Sequence, residues 1–587
     1  MQNGFSIGWP DYIAFFSYFI LLSTIGYWFG RSKKEATADY FLAGQSLPWY
    51  VVGSSYIAAN ISTEHFIGLI GAAVLYGICV ATGEWSTVIA FSFLIWLFIP
   101  YLLTSKVLTT PEFLEKRFDS RLRLLFAAVS VLANIFAFMG PVIYGGSLIL
   151  SEFFQMNPIW ACIIIGITTG GWAIWGGLRS VAFMDLLTIL IMIFGGLSVT
   201  VAGLYHLGNG AGWQAGFQNM MEANQGNAGW AKEWISENVP NILKGTTAGE
   251  DYNRLSVLQP LNHYSNPWTH WVFSFFYIGL WYTVINQTMI QKVLAARDMY
   301  HARAGMVLAA FLKLLLPVIV VLPGLIFFAM RPDFLEGNTW AVMSDEANKT
   351  YIVLINQLLP PFLKGILLAA LFGAIQSTVS SVLNSTSTLF TVDIFARYRQ
   401  PDAGSAQLIR TGKVSGAVFL GLSIGFAMLL ATVTKVNLFI LIQALYTFIA
   451  PSFSAIFLLG MLWKRVGATD AWRTVLISFG VAGFLKYLEF GPLADSSSDL
   501  ANMVKPFANQ ALITWLFAMI FCSISTLFTS APSPDKVTSD LTFNIRGAAL
   551  REGLGDRWWR HIGFWWGISI LLLVILILIF SVYFTGN

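Results

Sequence analysis

At 587 residues the chain is 56% hydrophobic and only 11% charged, with a net charge of +4. Soluble domains carry about 25% charged residues, so a water-soluble fold is excluded, and the small, scattered positive charge points to no nucleic-acid partner. The cysteines (Cys79, Cys162, Cys522) fall in or beside apolar stretches and offer neither a disulfide framework nor a CxxC metal spacing.

Windows of about 18 or more apolar residues read as membrane-crossing helices, and they succeed one another almost to the C-terminus. Fourteen are predicted: 12–30, 50–77, 83–103, 124–154, 157–177, 180–206, 268–290, 304–330, 351–395, 412–433, 437–463, 472–490, 506–529 and 562–584, numbered helix 0 to helix 13. The fold class is therefore an all-α polytopic membrane protein. Helix 0 is followed by RSKK rather than preceded by basic residues, the reverse of a cleavable signal, and is read as retained. Of the 34 Lys and Arg, 24 fall in or within two residues of the loops after even-numbered helices and seven in the opposite set. That bias puts the first set in the cytoplasm and both termini outside, in a multi-pass protein of the cell membrane.

In chain order the expected organisation is a leading helix and loop (1–49), a first set of five helices (50–206), an outer loop (207–267), a second set of five (268–463), peripheral helices (464–529), a cytoplasmic linker (530–561) and a last helix (562–587). Helix 1 is interrupted by AANIS, followed by Thr63, Glu64 and His65. Helix 6 contains GLWYTVINQ, where Gly279 and Asn286-Gln287 break the apolar run. These helices stand five spans apart and cross in opposite directions, and paired interruptions of that kind point to a transporter binding site near the midplane.

Ionisable groups inside spans cost about 2.5–3.5 kcal/mol each and are functional candidates by default. Here they are His65, Glu84, Asp185 and Lys313. Two have a plainer reading: Lys313 as half of a helix-locking ion pair, Glu84 as an interfacial carboxylate. In QSTVSSVLNSTSTLFT on helix 8, Ser377, Ser380 and Ser381 share one face. Small hydroxyl residues commonly serve close helix packing. They also suit sodium, a hard cation that needs oxygens, because an unwound helix frees carbonyls where irregular backbone lines a cavity. If helix 1 unwinds near Ala58 to Ile61, its carbonyls with Ser377 and Thr378 complete a shell. Glu64 is expected to face elsewhere.

The stretches FLAGQSLPWYVVGSSYIAANISTEHFIGLIG, TTPEFLEKRF, VLNSTSTLFTVDIF and FLLGMLWKR resemble the sodium/solute symporters, nearest the sodium–sugar cotransporter branch, over about residues 10–530. The resemblance implies two inverted five-helix repeats, helices 1–5 and 6–10, with helices 1 and 6 broken. It implies a principal sodium site at Ala58, Ile61, Ala374, Ser377 and Thr378, and a second at Asp185, Ser377, Ser380 and Ser381, hence two sodium ions per cycle. Solute contacts map to Asn60, His65, Glu84, Thr87, Lys313 and Gln443, with Tyr282 and Phe439 as gates. Gly279, Gly83 and Thr283 depart from the family pattern, leaving room for a larger or differently oriented solute. The implied activity is alternating-access uptake of a neutral hexose, with no cofactor beyond the coupling ions and no enzymatic reaction. An inositol, sialic acid or nucleoside as solute, or a non-transporting sensor, are the alternatives. The oligomeric state is not legible.

Overall fold

The computed structural model describes residues 8–31, 36–225, 253–261, 263, 266–331, 346–433, 438–494, 496, 498–544 and 550–583, with backbone alone at 433, 438–445, 502 and 583. Among these residues there is no strand, and nine helices are long and apolar enough to cross a membrane. The elements used below are α1 (Trp9–Gly30), α2 (Trp49–Asn60), α3 (Ile70–Tyr76), α4 (Thr82–Phe93), α5 (Ser120–Ala133), α6 (Gly140–Phe154), α7 (Pro158–Leu207), α8 (Trp268–Ser274), α9 (Gln287–Leu294), α10 (Met299–Val320), α11 (Leu363–Thr388), α12 (Ser405–Val433), α13 (Leu438–Leu462), α14 (Ala468–Phe490), α15 (Phe507–Phe528) and α16 (Ile562–Leu578).

Several predicted spans meet in one continuous helix or divide into two. At 50 residues, α7 would run roughly 75 Å, more than twice an apolar layer of about 30 Å. It bends at Gly177 (φ 66°, ψ −169°), where a Cβ would lie 2.6 Å from the Tyr40 carbonyl oxygen. The bend falls where the sequence separates helices 4 and 5.

Both helices expected to be interrupted are broken, the first at the far end of the expected stretch and the second at Asn286 rather than Gly279. The helix expected to unwind from Ala58 stays helical through Asn60 and breaks at Ile61 (φ −80°, ψ 120°). Ser62 caps the turn beyond the break, its Oγ accepting from the Glu64 amide at 3.2 Å. In the second half Gly279 sits inside a π-helical turn, and the break is at Asn286 (φ −61°, ψ 117°). The Asn286 side chain caps α9, accepting from the Thr288 amide at 3.0 Å. Polar residues that can satisfy freed amides, rather than the glycine, decide both positions.

The short α9 is buried along its whole length and hooked to three neighbours. Gln287 accepts from the Thr110 amide (2.8 Å). Gln291 donates to the Phe41 carbonyl (2.6 Å) and to Thr388 (3.0 Å). Lys292 points into the core. Sequence counting assigns Lys292 and Arg303 to a cytoplasmic loop, but both are fully buried, Arg303 donating to the carbonyls of Leu550 and Glu552. The same end carries TTPEFLEKRF and forms the basic end of the molecule. There Arg123 joins Asp393 (2.7 Å) to Glu115 (2.6 Å), and Thr109 donates to Asp393 at 2.9 Å. Arg117 donates to the Gly460 carbonyl at 2.7 Å, tying that motif to FLLGMLWKR.

Candidate functional site

A cavity of about 690 Å³, its mouth included, lies beside the two breaks. Its wall contains Asn60, Glu64, His65, Glu84, Thr87, Tyr282 and Lys313. All but Glu64 are residues the sequence nominates for solute or gating.

Glu84, near the start of α4, is the hub. Oε2 accepts from Lys313 Nζ of α10 at 2.5 Å, and Oε1 pairs with His65 Nε2 at 3.2 Å. His65 Nδ1 accepts from the Ser62 amide at 3.3 Å, so Nε2 carries the proton it gives to Glu84. One carboxylate thus serves both nearby basic side chains, each nearly out of solvent. Thr87 Oγ1 donates to the Gly83 carbonyl at 2.7 Å, leaving its lone pairs for a ligand. Asn60 and Tyr282 share the wall, and Asn60 Oδ1 has no partner among the described residues. Tyr282 stacks with Phe138, rings 6.3 Å apart. Gln443 and Phe439 lie outside the residues whose side chains are described.

Sequence reasoning missed four parts of this wall. Glu64, expected to face elsewhere, lines the cavity at the start of the π-helical turn that follows the break. Among the described residues no basic side chain is bonded to its carboxyl. His270, bonded to Tyr277 at 2.9 Å, and Ser274, bonded to Ser86 at 3.0 Å, reach the cavity from α8. Tyr446 joins the aromatic cluster of Phe138 and Trp281. Of the departures, Gly83 faces open space, so a side chain there would enter the cavity freely, whereas a Cβ on Gly279 would meet Ala90 at 3.1 Å.

The break in helix 1 exposes main-chain oxygens. The amides that would satisfy Ala58 and Ile61 in a continuous helix bond elsewhere, Ser62 to His65 Nδ1 and His65 to the Ser62 carbonyl. Thr378 on α11 reaches this gap, its Oγ1 3.1 Å from the Ala59 carbonyl and 3.2 Å from that of Ile61. Ser377 Oγ is buried and has no hydrogen-bond partner. Ala374 lies one turn earlier on α11, also buried. Thus two carbonyls and the Thr378 hydroxyl meet at the gap, and the next residue on α11 keeps an unpartnered hydroxyl. An orphaned buried hydroxyl costs about 1–3 kcal/mol, and this donor set fits a hard monovalent cation.

The residues assigned to a second ion are arranged otherwise. Asp185 on α7 accepts from Lys292 Nζ at 2.8 Å and from Ser55 at 2.5 Å. Lys292 also donates to Ser381 at 2.9 Å and to Ser55 at 2.6 Å. Ser380 turns away and donates to the Thr169 carbonyl at 2.7 Å, the packing role common for small hydroxyl residues. Asp185, Ser380 and Ser381 are therefore each already hydrogen-bonded, where the resemblance implies oxygens turned to an ion. An ammonium contributed by α9 lies between Asp185 and Ser381.

The comparisons agree with this architecture. The model of the sodium:solute symporter family matches residues 40–478. A sodium/glucose cotransporter of Vibrio parahaemolyticus is 32% identical over 91% of this chain and 95% of its own length. A sodium/myo-inositol cotransporter of Mus musculus is 28% identical over 92% of this chain and 76% of its own. A solved sodium-coupled sialic acid symporter, substrate-bound and outward-open, superposes with a TM-score of 0.71 at 19% identity, covering 90% of this chain and 99% of that one, which shows a shared fold. The chain belongs to the sodium:solute symporter family, multi-pass membrane proteins that are sodium-coupled transporters rather than enzymes.

Proposed function

We propose that this protein carries a neutral polyol, a hexose such as glucose or galactose, into the cell with sodium. The observation that supports this reading is the charge pattern of the cavity wall. Two carboxyl groups, Glu64 and Glu84, stand against one ammonium, and that ammonium is already bonded to Glu84. Sugar hydroxyls both donate and accept, and this wall offers both kinds of partner. A site built to pair hydroxyls rejects analogues lacking them by large factors. An anionic solute would require a free cation that the described wall does not supply, which disfavours sialic acid. Inositol, a ring of hydroxyls with no charge, is the second reading, and the similarity to a myo-inositol carrier favours it specifically.

In the proposed cycle Asn60, His65, Glu84, Thr87, Lys313 and Gln443 hold the solute, with Tyr282 and Phe439 as inner and outer gates. Sodium joins the helix 1 gap at Ala58 and Ile61 to Ala374, Ser377 and Thr378, and so favours the outward-open form. The basic end faces the cytoplasm. Opening there separates α2 from α11, and the sodium shell loses oxygens. The membrane potential adds about 2.3 kcal/mol per charge per 100 mV. The test is uptake of radiolabelled hexoses, inositols and sialic acid into proteoliposomes with and without a sodium gradient. Sodium-dependent uptake of a hexose is expected. Uptake of sialic acid alone, or no dependence on sodium, overturns the reading.

A further inference from the structure

We propose that Lys292 is a tethered cation that fills the second ion position and sets coupling at one sodium per solute. The inference rests on the sodium-symport reading above and proposes one ion in place of the expected pair. Its ground is the placement of one ammonium.

Lys292 and Asp185 are both wholly buried. An ammonium has three hydrogens to donate. Around Lys292 Nζ stand three acceptors, Ser55 Oγ at 2.6 Å, Asp185 Oδ2 at 2.8 Å and Ser381 Oγ at 2.9 Å. Two of these residues, Asp185 and Ser381, are ones a second sodium would need. Ser380 is committed to Thr169, and Ser377 lies next to Thr378 in the chain, where it can serve the helix 1 gap. Among the described residues of this set Asp185 Oδ1 and Ser377 Oγ are left without a partner, and with Ser377 given to the helix 1 gap the carboxylate keeps one free oxygen, which makes no shell.

Charge leads to the same result. Asp185 and Lys292 neutralise each other, so an added sodium would leave a buried net positive charge. A second unit charge about 4 Å from the ammonium weakens binding roughly a thousandfold at an effective dielectric of about 20. Without the lysine, the same carboxylate would favour a mobile cation. Because Lys292 is part of α9, its charge stays with the protein through the cycle and adds nothing to the ion flux.

The experiment is a static-head measurement in proteoliposomes clamped at zero potential, with a hexose that the uptake panel shows to be carried. For one ion, solute accumulation equals the imposed sodium gradient; for two, it reaches the square of that gradient. The wild type is expected to obey the first law, and the second overturns the proposal. Lys292→Ala frees Asp185 for sodium and should convert the protein to the square law, with a steeper sodium dependence. Transport by that variant at one ion per solute overturns the role given to Lys292. Radioactive sodium bound to purified wild-type protein gives a readout that needs no variant to fold. One ion per chain is expected, and two overturn the proposal. Wild-type uptake indifferent to sodium would instead sink the symport reading.

Discussion

Glu84 holds Lys313 and His65 at once, so its neighbours cannot be altered independently. Breaking a buried ion pair by removing one partner costs about 3–5 kcal/mol because the other charge is stranded. Lys313→Ala should therefore lower solute affinity at least tenfold, and the Glu84→Ala/Lys313→Ala double variant should lose less than the sum of the single losses; uptake kinetics on the three variants check this. Thr378→Ala removes an oxygen from the helix 1 gap. A hydrogen bond to a charged group contributes about 1.5–3 kcal/mol, so the sodium half-saturation of uptake should rise about 10- to 100-fold. Outside the membrane spans, His263 accepts the Asn266 amide on Nδ1 at 2.9 Å. Burial pulls its pKa down to about 3. The folded state thus binds fewer protons than the unfolded one between about pH 3 and the ordinary histidine value of about 6.5. Its stabilisation is complete above that value and falls as pH drops through the window. Thermal stability should decline below about pH 6.5, and His263→Gln should flatten that decline.

Among the elements, the two that the breaks create carry most of the chemistry. Gly177 bends α7 with a positive φ and no room for a Cβ. Gly177→Ala should destabilise the protein by well over the ~1 kcal/mol at which a glycine is ordinarily exchanged for alanine, read as a fall in melting temperature in detergent. How far such elements were legible beforehand depended on what signal they carry. The all-helical membrane class was, because long apolar runs need no partner to be recognised; the fourteen spans were not matched one for one, nine helices being long and apolar enough among the described residues. His65, Glu84, Asp185 and Lys313 were, because charge inside an apolar run is conspicuous. Lys292 was not: it lies two residues past the end assigned to helix 6, where a lysine looks like an ordinary loop cation. Only the Asn286 cap, which restarts the helix inward, reveals that the chain is still deep in the bundle. Glu64 was missed for a related reason. A continuous helix would turn it from the cavity, but the break at Ile61 resets the course of the chain just before it.

The whole molecule is fastened at the basic end. Arg123 bridges Asp393 and Glu115, Arg397 adds a second cation to Glu115 at 2.8 Å, and Leu47 pairs with the chain at Ala295 and Arg297. Burial alone would raise the Glu115 pKa, but hydrogen bonds from Arg397 and Arg123 outweigh it and hold the carboxyl below its usual range. Asp393→Asn should loosen this closure and raise the sodium half-saturation for uptake, with little change in the amount of protein reaching the membrane. The three hooks of α9 make this fastening matter for economy as well as shape. Gln287 grips the motif at Thr110, Gln291 the end of α11, and Lys292 the pair of Ser55 and Asp185. No one of these neighbours can shift far without tugging the same two turns of helix. An ion slipping through without its cargo would need one contact to open while the others stay shut, and a shared rod resists such piecemeal opening, so wasteful leakage of the gradient is discouraged by the build of the protein itself.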